Sequence, residues 1–379
     1  MRIDKIWIYR LAIPFSRVVT HSLHERSETE AIIVAIQDET GMRGYGEGTP
    51  RGYVTGESLA ATVDACGSVA SRMAGFSTSS ADELGEFLRD LGSAHPSACN
   101  PSAWCALEVA ILDLWTKNNR APFWRFFAEN PVHQSFTYSG VVPILPDQRQ
   151  LLEVLELARL FNLSFLKLKI KDCDSGLEAV KATRDYLGTD IDLRVDANGA
   201  LSVPETLRFI EMTRSHGISA MEQPVPKSDL EGMTEVTSRS AIPIIADESL
   251  CTMEDAIKLI EHKGCHGFNI RLSKCGGFQK SLELAQLARA RGILIQIGSH
   301  VGETGILSAA GRHFASLTPG YTYLEGSFSR FVLKEDIVKD DISFGGGGKA
   351  LPLGGPGLGL QVNDWILHKW GTLVRFHSV

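Results

Sequence analysis

Eight short apolar runs recur from about Phe136 onward, and each is followed by a loop and an amphipathic helical pattern. Their last polar residues stand roughly 25 positions apart, which fits a unit of one strand, one helix and two loops. Eight such units in about 200 residues are what a closed (β/α) barrel requires. An open doubly wound sheet usually has fewer strands and a glycine-rich phosphate loop, and YSGVVP after the first run is not such a loop. We therefore predict a TIM-type barrel.

The flanking segments have a different pattern. Residues 1–130 begin with strand patterns and continue with helical ones, which indicates an antiparallel α+β unit. Pro131 marks the boundary, so we predict the barrel over 131–341. The glycine-rich segment 342–379 lacks the strand–loop–helix context of a phosphate site, and we interpret it as loops and a short strand that pack back on the N-terminal unit. The fold class is α/β.

Charge and cysteine content restrict the function. A formal net charge of -7 with no basic tail argues against nucleic-acid binding. The sequence contains no run of 18 or more apolar residues, so we expect no membrane span. The start of the chain does not have the pattern of a signal peptide. Seven scattered cysteines without a CxxC pair fit reduced thiols. We expect a cytoplasmic protein.

Carboxylates follow three successive barrel strands. Asp196, Glu222 and Asp247 end the third, fourth and fifth strands, and strand ends converge on the active-site face of such a barrel. Each alone could cap a helix or form a surface ion pair. Three together cannot all stay ionised unpaired, and a divalent cation resolves their repulsion. Oxygen ligands without His or Cys favour Mg²⁺ or Mn²⁺ over Zn²⁺.

Two lysines end the second strand, in the sequence KLK. Lys167 and Lys169 are two residues apart, so both side chains face the barrel interior. Like charges beside each other and beside a metal lower the pKa of an ammonium group, which would make a neutral lysine base accessible. The alternative is that both lysines simply pair with the carboxylates.

These motifs resemble the enolase superfamily, in particular the muconate-lactonizing branch of the mandelate racemase and muconate lactonizing enzyme family. The resemblance covers nearly the whole chain. It includes an N-terminal α+β capping domain that the C-terminal segment completes. The matching motifs are KLK at 167–169, DAN at 196–198, EQP at 222–224, ADES at 246–249, the GG pair at 276–277, LEG at 324–326 and PGLG at 356–359.

The resemblance implies a shared partial reaction. Mg²⁺ binds the carboxylate of a small substrate, a base removes the α-proton, and the metal stabilises the enediolate. By position, Asp196, Glu222 and Asp247 are the metal ligands, Lys169 is the base and Lys167 tunes it. Two capping loops, near 16–26 and 49–57, would choose the substrate. A homo-oligomer is also expected by resemblance.

Arg271 departs from the branch at a catalytic position. A second lysine usually stands six residues before the second glycine of the GG pair, and here that position holds Arg271, whereas Lys274 lies past the strand end, where we expect a surface or loop-packing role. Arginine stays protonated and is a poor base. It could stabilise the enediolate, hold a second anionic group, or form only a salt bridge to Asp247.

Other positions are candidates for contact with substrate. His300 follows the seventh strand, where a loop role is the alternative to proton donation, and Glu325 on the eighth strand could orient a hydroxyl or an amine. LEGSF on that strand lacks the Asp-x-Asp with which dipeptide epimerases of the superfamily hold an ammonium group. The remaining candidates are Asn198, Asn269, His21, His24 and Tyr53.

Three functions follow from this pattern. The first is an Mg²⁺-dependent lyase or cycloisomerase of a small carboxylate, because only Lys169 is an obvious base. The second is a racemase or epimerase of an amino-acid derivative, with Arg271 as an unusual acid. The third is a barrel that binds metal and carboxylate without turnover.

Overall fold

The computed structural model describes residues 1–21, 24–94 and 100–378. Its N-terminal part is an antiparallel sheet covered by helices. Strand β1 lies between β4 and the C-terminal strand of the chain, and β5 forms the opposite edge. The elements are β1 (Ile3–Leu11), β2 (Pro14–His21), β3 (His24–Glu28), β4 (Ala31–Asp38), β5 (Arg43–Gly48), α1 (Gly52–Thr55), α2 (Leu59–Met73), α3 (Ala81–Ala94) and α4 (Pro101–Asn118).

The second part is an eight-stranded parallel sheet in which strands and helices alternate. A short strand, β6 (Phe136–Thr137), precedes it. The units are β7 (Gly140–Val142) and α5 (Gln148–Leu160), β8 (Phe165–Lys169) and α6 (Cys173–Leu187), β9 (Asp192–Asp196) and α7 (Val203–Met212), β10 (Ala220–Glu222) and α8 (Leu230–Arg239), β11 (Ile244–Ala246) and α9 (Met253–Glu261), β12 (Gly267–Ile270) and α10 (Phe278–Ala290), β13 (Leu294–Ile297) and α11 (Gly305–Leu317), and β14 (Tyr323–Leu324) and α12 (Ser329–Val332).

The sheet closes on itself. Neighbouring strands pair in sequence order from β7 to β14, and the backbone N–H of Ser139, just before β7, donates to the carbonyl of Leu324 on β14 over 2.8 Å. The predicted TIM-type barrel with an N-terminal capping domain is confirmed.

The C-terminal segment contains more regular structure than its composition suggests. It forms β15 (Lys349–Ala350), α13 (Asp364–Trp370) and β16 (Gly371–Ser378). β15 pairs with β6, and β16 pairs along β1 from Lys5 to Leu11. The segment thus completes the capping sheet, as expected, although the helix α13 was not predicted. None of the helices in the described ranges is long and apolar enough to cross a bilayer.

Two buried carboxylates of the capping domain bind helix N-termini of the barrel. Glu108 on α4 accepts from the backbone N–H of Phe278, at the start of α10, over 2.5 Å. Gly277 precedes that helix and offers no capping side chain; a Cβ there would lie 2.2 Å from Glu108 Oε2. Glu47 on β5 likewise accepts from Thr304 N–H over 2.9 Å at the start of α11. These contacts hold the cap over the barrel mouth.

The first predicted capping loop is a hairpin instead, because residues 14–28 include the paired strands β2 and β3. The carbonyl of Thr20 accepts from the N–H of Ile144 beyond β7, over 3.1 Å, so the hairpin reaches the barrel.

Candidate active site

The predicted metal ligands lie side by side at the carboxyl ends of adjacent strands. Lys169 is in register with Asp196, and Asp196 is in register with Glu222. Asp247 follows β11 directly. All three carboxylates are fully buried. Such burial of like charges is stable only where cations or donors compensate it.

Lys169 lines the cavity in the barrel mouth, which Lys167 also borders. Its Nζ donates to Asp196 Oδ2 over 2.8 Å and to Asn198 Oδ1 over 2.7 Å. Its side chain is 9% exposed and lines the cavity. The predicted position of the base is therefore open to a ligand.

Lys167 is more deeply buried than Lys169 and is paired with carboxylates. Its Nζ donates to Glu222 and Glu325, each over 2.9 Å, and its side chain is 2% exposed. Burial alone would lower the pKa of Lys167, but the charges of Glu222 and Glu325 outweigh burial and raise it above its ordinary value. In the site without metal, carboxylates surround Lys167 more closely than cations do, and its ammonium form is stabilised.

Glu325 is occupied from two sides. Besides Lys167, it accepts from Arg194 Nη2 over 2.6 Å, and the Arg194 guanidinium stacks on Tyr323 at 3.8 Å from the ring centroid. This buried pairing leaves Glu325 little capacity to orient a substrate group, although its side chain borders the cavity.

Arg271 lines the cavity in the barrel mouth, whereas Lys274 does not. Its guanidinium contacts Asp247 directly and Glu222 over 3.3 Å. Burial opposes the charge, but these carboxylates hold the pKa of Arg271 well above its ordinary value. Lys274 is fully buried and donates to Asp247 Oδ1 over 2.8 Å, so the surface role predicted for it is wrong. Its Nζ also donates to the backbone carbonyl of Asn269 over 2.8 Å, which agrees with the predicted loop-packing role.

The carboxylates perturb one another. Burial, and then the charge of Glu222, raise the pKa of Asp196. Glu222 is also buried, yet Lys167 and Arg271 bring its pKa well below the ordinary value. Burial, and then the charge of Asp247, raise the pKa of Glu248 to about 8. The charges of these side chains are therefore strongly interdependent.

The donor set suits Mg²⁺. In the described ranges no three His, Cys, Asp or Glu side chains are arranged as a ready metal site, since lysine and arginine nitrogens contact the carboxylates instead. The three carboxylates nevertheless offer only oxygen, which Mg²⁺ prefers. Beside them, Glu248 has a buried Oε2 without a hydrogen-bond partner, while its Oε1 accepts from Asn198 over 2.9 Å. Buried acceptor capacity is thus available for a cation.

The capping domain contributes Thr49 and Tyr53 to the site. His300, 4% exposed, lies beside Thr49, with 2.8 Å between His300 Nδ1 and Thr49 Oγ1. His300 Nε2 is buried without a protein partner. Burial, and then the charge of Arg271, hold the pKa of His300 well below its ordinary value. The cavity enclosed here measures about 200 Å³.

The other candidates divide into two groups. Asn198 and Tyr53 line the cavity, whereas Asn269 is buried beneath it and donates to Glu222 over 2.8 Å. The backbones of His21 and His24 pair at the tip of the hairpin, and their side chains lie outside the described part of the structure. Sequence reasoning missed Thr49, Arg194 and Glu248 as parts of this site. It also missed Gln296, whose Nε2 donates to Glu222 Oε2 over 2.7 Å.

Comparison with known proteins agrees with this geometry. The family model "Enolase C-terminal domain-like" matches residues 153–366. The chain is 31% identical over 328 residues to a hydrophobic dipeptide epimerase of Enterococcus faecalis, covering 85% of this chain and 89% of that one. It is 25% identical to muconate cycloisomerase 1 of Rhodococcus opacus, with 95% and 96% covered.

Solved structures are similarly close. An N-succinyl Arg/Lys racemase of Bacillus cereus superposes with a TM-score of 0.91 at 25% identity, with 100% of both chains covered. A dipeptide epimerase of Enterococcus faecalis, complexed with Mg and the dipeptide L-Leu-L-Tyr, superposes with a TM-score of 0.86 at 28% identity, covering 95% of this chain and 100% of that one. The chain belongs to the enolase superfamily, among the relatives of muconate lactonizing enzyme and the dipeptide epimerases, and it is an enzyme of that superfamily.

Proposed function

We propose that this protein is an Mg²⁺-dependent epimerase or racemase of an amino-acid derivative. The observation that carries the proposal is Lys169, whose ammonium group lies in the cavity against Asp196 and Asn198. The sequence alone favoured elimination or cycloisomerisation, but the epimerases and racemases among the relatives favour the second reading.

Asp196, Glu222 and Asp247 would hold the metal. When bound, Mg²⁺ supplies positive charge that stabilises the negative charge developing on the substrate carboxylate. Lys169, as the neutral amine, accepts the α-proton, and the electron pair of the broken C–H bond moves toward that carboxylate. Arg271 remains protonated and adds positive charge to the same place.

Epimerisation also needs a proton donor on the other face of the α-carbon. In the ring of eight strands, β12 lies four positions from β8, and β13, which leads to His300, lies three positions away. Arg271 holds its proton too tightly for this task, so His300 is the better donor. Its Nε2 is unpartnered. Burial, and then the charge of Arg271, lower the pKa of His300, so the imidazole has to take up a proton before it can donate one. One turnover moves one proton onto Lys169 and one off His300, and the reverse reaction restores both.

A second candidate is a one-base lyase or cycloisomerase. It rests on Arg271, which stands where the branch has a lysine and is fixed by Glu222 and Asp247. In that reaction Arg271 would stabilise charge, and no second base is required.

Proton NMR in D₂O with Mg²⁺ separates these functions. Dipeptides and N-acylated amino acids are incubated with the enzyme, with EDTA-treated enzyme and with a Lys169→Met variant. Metal- and Lys169-dependent loss of the α-proton signal, with the opposite epimer appearing by chiral chromatography, is the expected result. New vinyl or keto-acid signals would favour the second candidate. A panel without any exchange, given demonstrated Mg²⁺ binding, would contradict both.

A further inference from the structure

The edge of the capping sheet carries aromatic side chains that the rest of the chain leaves partly uncovered. Strand β16 forms this edge and pairs with β1. One face of the two strands is covered by α2, where Arg375 reaches Asp64 over 2.8 Å. On the opposite face the rings of Trp7 and Phe376 pack together with 5.5 Å between their centroids. Phe376 nevertheless remains 49% exposed.

A β-bulge at Val374 brings a second apolar side chain of β16 to the same face. Leu373 and Phe376 are three residues apart, which on a regular strand would put them on opposite faces. The register against β1 shifts at the bulge, so that Phe376 opposes Trp7 and Leu373 opposes Tyr9. Trp7 and Tyr9 are two residues apart and share a face, and their two partners therefore share it as well. Leu373 is also 49% exposed.

Helix α13 extends this surface. The ring of His368 meets the ring of Tyr9 edge-on, with 5.8 Å between the centroids. Trp365 stands three residues before His368, so it lies on the same side of α13, and it is 68% exposed. We call the surface formed by Trp7, Trp365, Leu373 and Phe376 the aromatic patch.

The size of the aromatic patch suits a protein interface. The exposed parts of its side chains amount to roughly 400 Å². A standard interface buries about 800 Å² on each partner, and about 65% of that area is apolar in homodimers. The patch thus supplies most of the apolar area that such a contact needs. Tryptophan and arginine also dominate the binding energy of interfaces, and the Arg43 guanidinium lies 4.8 Å from the centroid of the Trp7 ring.

The charges around the patch favour a second copy of this chain as the partner. Arg43 pairs with Asp364 over 3.7 Å, and Lys369 pairs with Glu335 over 2.7 Å. In a twofold contact the surface meets itself, so a border of one sign would repel its own copy, whereas this border lets each base face an acid. An anionic membrane would instead require an excess of lysine and arginine, and the chain has a net charge of -7.

We propose that the aromatic patch is a twofold interface between two copies of this chain. The bulge at Val374 makes β16 an irregular edge, which disfavours pairing with an added strand. The two copies therefore meet through the side chains of the patch. This inference goes beyond the proposed function and does not depend on it.

Sedimentation equilibrium of the full chain, over a wide range of concentrations, tests the proposal. The wild type should have twice the mass of one chain. Trp365→Glu and Leu373→Glu should each raise the Kd of the dimer on the order of 100-fold, because the twofold axis introduces each buried charge twice. Leu160→Glu and Leu351→Glu are matched controls outside the patch, 66% and 72% exposed, and should leave the Kd unchanged. The two patch variants lie on different elements, so a folding defect in one, detected by circular dichroism, leaves the other as the test.

The outcomes distinguish the patch from other surfaces. A wild type with the mass of one chain at every concentration would overturn the proposal. An assembly whose mass neither patch variant lowers would also overturn it, because the copies would then associate through another face. A larger assembly that loses mass in the patch variants, but not in the controls, would support it. Amide hydrogen exchange gives an independent reading: α13 and β16 should become more protected as the concentration of the wild type rises, and protection confined to other elements would contradict the proposal.

Discussion

The guanidinium of Arg271 lies directly against the carboxylate of Asp247 and also reaches Glu222. These carboxylates are buried, so removal of this cation leaves Lys274 alone beside Asp247 and weakens the compensation of Glu222, which Lys167 still contacts. We expect Arg271→Met to lower the free energy of unfolding of metal-free protein by about 3–5 kcal/mol. Added Mg²⁺ should reduce this difference in the free energy of unfolding between the variant and the wild type, because the metal would compensate the same carboxylates.

Urea denaturation with EDTA and with Mg²⁺ measures both effects. Arg289→Met, at an exposed position near the end of α10, is the control and should change little. If Arg271→Met lowers the free energy of unfolding equally with and without metal, Arg271 and Mg²⁺ do not act on the same charges.

Arg271→Lys tests whether this position can transfer protons. Lysine keeps the positive charge but can lose its proton, unlike arginine. One epimer binds with its α-proton pointing away from Lys169. We expect the rate of α-deuterium exchange from that epimer to rise on the order of 10-fold. Collapse of exchange from both epimers would instead show that the guanidinium itself is required for charge stabilisation.

Lys169→Met should abolish proton abstraction on its own face. Loss of a general base costs about 10²–10⁴-fold in rate, and the measured quantity is α-deuterium incorporation in D₂O. Lys171→Met is the matched control, since Lys171 is exposed just beyond β8. If the Lys169 variant keeps the wild-type rate and the control behaves alike, Lys169 is not the base.

His300→Asn should slow conversion between epimers about 100-fold while exchange on the Lys169 face continues. Thr49 is a positioning residue for this imidazole, so Thr49→Val should produce a smaller loss and shift the pH profile, and Thr49→Ser should restore both. Equal loss of exchange on both faces in His300→Asn would remove His300 from the role of opposite-face donor.

The fold could be predicted from the sequence because its signals are local and repeated. Residues spaced by two on a strand, such as Lys167 and Lys169, and carboxylates one unit apart must meet if the barrel closes. The register of Lys169, Asp196 and Glu222 is the direct result.

The hydrogen bonds and ion pairs between the side chains of the site could not be predicted in the same way. Lys167 is more deeply buried than Lys169 because it pairs with Glu325, which Arg194 also contacts, and Glu325 approaches from a strand far away in sequence. Lys274 lies past the strand end, yet the loop turns it inward to Asp247. The Thr49–His300 contact joins two domains and leaves no periodic pattern in either.

The contact between the domains should depend on pH through Glu47. Burial raises the pKa of Glu47 to about 7, although Thr304 and Leu307 donate to it. Because the folded state then binds a proton more tightly than the unfolded state, this contribution to stability is complete below about pH 4.5 and is lost as the pH rises toward 7. Glu47→Gln resembles the protonated acid, so its free energy of unfolding should exceed that of the wild type increasingly across this range, by up to about 3 kcal/mol. Urea unfolding at several pH values measures the difference. If the free energies of unfolding of the wild type and of Glu47→Gln change in parallel with pH, Glu47 keeps an ordinary pKa and its charge is fully compensated at the start of α11.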